Sequence, residues 1–219
     1  MESSNPPARE SFHHGDLANA LLTEAQRLVN EQGIHRFSLR EAARGVGVSP
    51  TAGYRHFADK AALLSALATR GFAEMATTME IAMEKAGEDR TARLKATGEG
   101  YLEFARREPA MFDLMFGPYG AGGCTDVTGG GAKTGLSPAG LVTRALDDLL
   151  EAGLVVAETR IGAETLLWAA VHGLVVLLAS GAWKDSPEDA FNRMFYLIEN
   201  ALGLRGPGGS GGSVPGDRI

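Results

Sequence analysis

Between Arg36 and Lys60 this 219-residue chain gathers side chains that could engage a polyanion. Arg36, Arg40 and Arg44 are cations within one short stretch. Ser38, Ser49 and Thr51 place hydroxyls where helices would begin, and the unpaired N–H groups of a helix start attract phosphate oxygens. Tyr54, Arg55 and His56 follow, with side chains that can reach a nucleic-acid backbone or a base edge. Lys60 stands where another helix would start, so its ammonium and that helix's N–H groups can share one phosphate. For Arg40 and Arg44 the plainer alternative is a solvated helix face. For Tyr54 and Phe57 it is core packing, which fits Phe57 better than Tyr54, whose hydroxyl suits a phosphate.

A second set is aromatic and methionine-rich. Phe104, Met111, Phe112, Met115, Phe116 and Trp168 are core residues first, yet a small-molecule pocket needs such a lining, and they are candidates for one. His172 lies four residues after Trp168 on an otherwise apolar stretch. It is either a hydrogen-bonded core histidine or a polar contact to a ligand. His13, His14 and Asp16 are loosely spaced with no further ligand, so no metal is expected; Asp16 suits a helix cap and the histidines an arm near a polyanion. The run GGGAKTG, Gly129 to Gly135, is similar to a phosphate loop but departs from it. Ala132 stands where the glycine before Lys-Thr belongs, Val127 where the first glycine belongs, and no strand precedes it. Cys124 is the one cysteine, which excludes an intrachain disulfide. A redox role for it would need a depressed pKa, and no nearby base is evident. No nucleophile or acid–base pair has recognisable spacing, so neither an enzyme nor a cofactor is expected.

The elements that must position these groups read as helices. Leu17, Leu21, Leu22, Ala25, Leu28 and Val29 share one helical face that Gly33 ends. Leu39, Ala42, Ala43 and Val46 repeat the pattern after Ser38 as N-cap. Gly45 and Gly47 force a turn, and Ser49–Pro50 opens a short helix to Phe57. Asp59 caps a longer helix carrying Leu63, Leu64, Leu67, Phe72, Met75 and Met79. Further helices follow around Leu94–Phe104, from Pro109 to Phe116, from Ser137 to Leu150, over 158–180, and from Ser186 to Leu202. The expectation is an all-α fold of about nine helices without a sheet.

Composition fits one or two soluble units: 44% hydrophobic, 22% charged, formal net charge −6. Residues 1–60 hold seven Lys/Arg and seven Asp/Glu, and the rest hold 14 against 20. Only the N-terminal end is therefore suited to a polyanion. Of the 29 glycines, eight lie in 117–135 and seven in 203–219. These read as a flexible loop at 117–135 and a disordered tail at 206–219; 1–11 reads as a loose arm. No run approaches the roughly 18 apolar residues of a membrane span, and Met1–Glu10 lacks the apolar centre of a secretory signal. A cytoplasmic protein is expected.

Helix, glycine turn, helix over 38–57 is the pattern of a helix-turn-helix, in which the second helix enters the DNA major groove. The run GIHRFSLREAARGVGVSPTAGYRHFADKAALL, Gly33 to Leu64, closely resembles the DNA-binding domain of the tetracycline-repressor-like (TetR) regulators, as does FHHGDLANALL, Phe12 to Leu22. The resemblance covers residues 12–75. It implies a homodimeric repressor of double-stranded DNA, with an N-terminal DNA-binding domain at 12–75. A C-terminal domain at 76–205 would bind an unknown small-molecule effector and dimerise through helices at about 158–180 and 186–204. By position it implies phosphate contacts from Ser38, Tyr54, His56 and Lys60, and groove-facing positions at Arg40, Arg44, Pro50, Thr51, Ala52 and Gly53. Ser49 would contribute its hydroxyl at the helix start. Gly53 departs from the family, which usually carries a larger residue there. FARREPAMFDLMFGP (104–118) and LWAAVHGLVVLLASG (167–181) are similar to the Trp-x-x-x-His-Gly subset of the family.

Overall fold

The computed structural model describes residues 14–120 and 130–204. The expected arm at 1–11, the tail at 206–219, His13 and Cys124 lie outside them. Among the described residues there are ten α-helices and no strand. Packing divides them into two units, one from Met1–Gly71 with Glu108–Asp126, the other from Phe72–Arg107 with Val127–Ile219.

The first unit is built on α1 (His14–Gln32), α2 (Leu39–Gly45), α3 (Pro50–His56) and the start of α4 (Lys60–Lys85), with α6 (Pro109–Phe116). Helix α1 starts at His14, so Asp16 lies inside it rather than at its cap. Leu21, Ala25, Leu28 and Val29 are buried, and Gly33, at φ 80°, turns the chain out of the helix. The serines and aspartate expected to cap do so. Ser38 accepts from Glu41 N at 3.2 Å, Ser49 from Ala52 N at 3.3 Å and Asp59 from Ala62 N at 2.8 Å. Each satisfies an N–H that the helix itself leaves open. Helix α6 joins this unit, whereas the sequence placed it with the C-terminal domain. It packs on α1, and a Cβ at Gly71 would lie 2.7 Å from Met115 Sδ.

The second unit holds the rest of α4, α5 (Arg90–Arg107), α7 (Pro138–Glu151), α8 (Ala157–Arg160), α9 (Ala163–Ala179) and α10 (Pro187–Leu202). Its core includes Leu94, Tyr101, Phe104, Leu146, Leu149 and Phe195. At Gly100, α5 crosses α4 so closely that a Cβ would lie 2.6 Å from Met79 Cα. The single helix expected over 158–180 is two. Gly162 adopts φ 79°, left-handed backbone that a helix interior cannot contain, and α9 starts after it. Arg160 closes the break by pairing with Asp147 at 2.7 Å and Glu164 at 2.6 Å.

Candidate functional site

Helices α2 and α3 pack directly on each other, joined by a turn at Gly47 (φ 81°). Leu39, Ala42 and Ala43 bury the inner face of α2, which leaves Arg40 and Arg44 exposed on the other side. On α3 Pro50, Thr51, Tyr54 and Arg55 are exposed, Tyr54 at 43%, and Ala52 and His56 are half-buried. Ser38 and Ser49 are exposed at the two helix starts. A capping serine accepts through its oxygen and keeps an O–H to donate. The result is an exposed, cation-bearing surface of hydroxyls, guanidinium groups and helix-start amides.

Two of the expected contacts sit differently. Gly53 is buried and faces α2: a Cβ there would lie 3.2 Å from Ala43 Cβ and 3.6 Å from Leu39 Cδ1. Its expected groove-facing position is thus corrected. The absent side chain serves close helix packing, and nothing is subtracted from the outer surface. Lys60 Nζ donates to the carbonyl of His35 at 3.2 Å and lies 4.6 Å from the centre of the Phe37 ring. The lysine therefore fastens the connection between α1 and α2, and burial pulls its pKa below the ordinary value.

The aromatic and methionine candidates fall in different units. Met111, Phe112 and Met115 are buried and Phe116 half-buried on α6, with the Phe112 and Phe116 ring centres 4.7 Å apart. Phe104, Trp168 and His172 belong to the second unit. There, α4, α5, α7, α9 and α10 line an apolar cavity of about 20 Å³, with residues that include Met79, Trp168, Tyr101, Thr97, Phe191 and Met194. Trp168 and His172, one turn apart on α9, both meet Tyr101. The Trp168 ring stands edge-on to it at 5.5 Å, and the Tyr101 hydroxyl hydrogen-bonds His172 Nδ1 at 2.8 Å. Burial lowers the pKa of His172 and favours the neutral imidazole. Tyr101 is not among the residues the sequence offers for the site. The signal for it was a tyrosine at a core position, since a buried phenol needs a partner.

Glu80 was missed altogether. It is 4% exposed, and its carboxylate accepts from Thr134 N at 2.8 Å, Thr134 Oγ1 at 2.6 Å and Lys133 N at 3.1 Å. Lys133 Nζ also pairs with Glu84. The described end of the loop expected to be flexible, 130–135, is thus a hydrogen-bonded turn wrapped around a carboxylate. Residues 121–129 lie outside the described residues.

Comparison with known proteins decides the family. The model for bacterial regulatory proteins of the tetR family matches residues 21–67. That for the tetracyclin repressor-like C-terminal domain matches residues 94–197. Together they cover more than half of the chain. The chain belongs to the TetR family. Its members are transcription regulators rather than enzymes, with a DNA-binding N-terminal and a ligand-binding C-terminal domain. They bind operators and act as dimers. This TetR-family chain is 28% identical to a protein of unknown function from Rhodococcus sp. RHA1, with a TM-score of 0.75 over 89% of this chain and 100% of that one. It shares its fold with a TetR family transcription regulator from Marinobacter aquaeolei VT8, at 19% identity and a TM-score of 0.59, over 84% and 94% of the two chains. The nucleoid occlusion factor SlmA of Glaesserella parasuis is 33% identical over 90 residues, 41% of this chain and 44% of that protein. The match thus spans less than half of that relative's length. Among the described residues, no helix of this TetR-family chain is long and apolar enough to cross a membrane.

Proposed function

We propose that the chain is a cytoplasmic, ligand-responsive repressor that binds a pseudo-palindromic operator as a homodimer. The observation that carries this reading is the outer surface of α2 and α3, where Arg40, Arg44, Thr51 and Tyr54 are exposed together beside two serine-capped helix starts. Arg40, Arg44, Pro50, Thr51 and Ala52 face the major groove. Ser38, Ser49, Tyr54, His56 and Lys60 hold phosphates, Lys60 while keeping its tie to the α1–α2 connection. Two copies would present α3 at successive major-groove faces, roughly 34 Å apart or a multiple of that.

Pairing runs through α9 and α10. Leu166, Val176 and Leu177 on α9 and Leu197 on α10 are exposed apolar residues, Leu197 at 67%. Ala169 and Ala201 lie exposed among them. Such a stripe on two adjacent helices suits a four-helix contact with a second copy. Gly162, first read as part of that interface helix, precedes α9 and has no part in it. The Trp-x-x-x-His-Gly resemblance fits the joint hold of Trp168 and His172 on Tyr101. An effector that binds the non-DNA conformation better releases the operator, by no more than its differential affinity for the two states.

The test is a gel shift with duplex DNA from upstream of the chain's own gene, repeated with candidate small molecules. Specific retardation relieved by a small molecule supports the reading. No retardation above that of random duplex overturns it.

A further inference from the structure

The cavity lined by α4, α5, α7, α9 and α10 has a lining whose chemistry restricts what can enter. No Asp, Glu, Lys or Arg takes part in it. The hydroxyl of Thr97 is committed to the carbonyl of Leu94 at 2.7 Å. What remains is a wall of aliphatic, aromatic and methionine side chains whose polar groups are the indole N–H of Trp168 and the Tyr101 hydroxyl, the latter hydrogen-bonded to His172.

Resting on the regulator reading, we infer that the effector is an uncharged, largely apolar molecule, held between α5, α9 and α10 with the Tyr101 hydroxyl, itself bonded to His172, as its polar contact. Three considerations lead there. A carboxylate, phosphate or ammonium would be buried among these residues without a counter-charge, at a cost of several kcal/mol. A phenol or alcohol brings one hydroxyl, and the Tyr101 oxygen or proton can complete a hydrogen bond with it in either His172 tautomer. As it stands the cavity has room for about one water, so a ligand must displace side chains. The occupants that give way are Met79, Met194 and Phe191. Methionine has three rotatable bonds and repacks readily, and Phe191 lies against Gly98, where a Cβ would stand 2.7 Å from the ring. Entry of a ligand would thus push on α10 through Phe191 and Met194.

The experiment uses three probes of one shape at pH 7: para-butylphenol (neutral), para-butylbenzoate (anionic) and para-butylbenzylammonium (cationic). Binding to the full chain is read without DNA, by quenching of Trp168 fluorescence in a Trp183→Phe background. The neutral phenol is expected to bind about a hundredfold more tightly than either ion. Tyr101→Phe should weaken the phenol roughly fivefold to tenfold, while leaving butylbenzene, which has no hydroxyl, unchanged. Equal or tighter binding of an ion, or no saturable quenching by any probe, overturns the inference. So does loss of butylbenzene binding in Tyr101→Phe. Operator release is measured separately by fluorescence anisotropy. Release by an ionic compound alone would overturn the effector class and leave the regulator reading standing. Phenol binding together with failure to retain any specific DNA would do the reverse.

Discussion

Arg44 and Lys60 carry the same charge, yet the fold gives them different tasks. Arg44 is exposed in the last turn of α2, where a guanidinium can reach a base edge, and a good bidentate contact is worth about 1–3 kcal/mol of discrimination. Arg44→Ala should lower operator affinity by that amount and relax preference at one base pair. Binding measured across single-base operator variants checks this, and an unchanged preference profile would make Arg44 a backbone contact. Lys60 is half-buried and tied to His35, so Lys60→Ala should weaken operator and random DNA alike and reduce the slope of log affinity against log salt by about one. Titrations at several salt concentrations read both numbers. Glu80 makes a prediction in pH. Burial alone would raise its pKa, but the hydrogen bonds from Thr134 and Lys133 and the nearby ammonium outweigh that and hold it below the ordinary carboxylate value. A lowered folded pKa means that the unfolded chain takes up the proton first as the solution is acidified. The stabilisation is therefore complete above the unfolded pKa and is lost as pH falls through the folded one. Glu80→Gln replaces one acceptor oxygen with a donor facing other donors. It should cost about 1–3 kcal/mol at neutral pH, and less in acid, where the native protein has already lost this contribution; denaturant melts at both pH values check it.

At the scale of elements, the α2–α3 pair depends on Gly53. The gap to Ala43 is narrow enough that Gly53→Leu must part the two helices, so this variant should lose operator binding while the second unit keeps its helicity. Footprinting and circular dichroism together read that outcome. For α9 and α10 the decisive residue is Leu197. Leu197→Glu places a charge within the proposed contact, and light scattering at micromolar concentration should report a 23.0 kDa monomer where the unaltered chain gives a dimer. A monomeric unaltered chain would refute the pairing through these helices. How far such features were legible in the sequence depended on the range of the interactions behind them. Caps and turns are local, so Ser38, Ser49, Asp59, Ser137 and Ser186 and the turn at Gly47 could be read from spacing alone. The outer positions of α2 fit the periodicity of Leu39, Ala42 and Ala43, whereas those of α3 came from the family resemblance, position by position. Gly53 was placed in the groove by resemblance alone, whereas its role lies in the distance to the next helix. The break at Gly162 was hidden by apolar residues on both sides of it. Glu80 and the segment 130–136 are separated by about fifty residues of chain, and no pattern of spacing reveals such a pairing.

At the scale of the whole molecule the charge is −6, while residues 1–60 are balanced. Most of the surface therefore repels DNA, and attraction is confined to the helix-turn-helix. The slope of log affinity against log salt should be shallow, reporting few phosphate contacts, in keeping with the small number of cations exposed on α2 and α3. The seam where Gly131–Leu136 closes on Glu80 has a further consequence. Gly131 N donates to the Leu136 carbonyl, and a Cβ at Gly131 would stand 2.4 Å from the Glu80 carboxyl carbon. A segment that reads like a nucleotide cradle has thus already been filled by an acid of its own chain. Nucleotide-affinity resins should let this protein through, and purine triphosphates should leave its melting temperature where they found it.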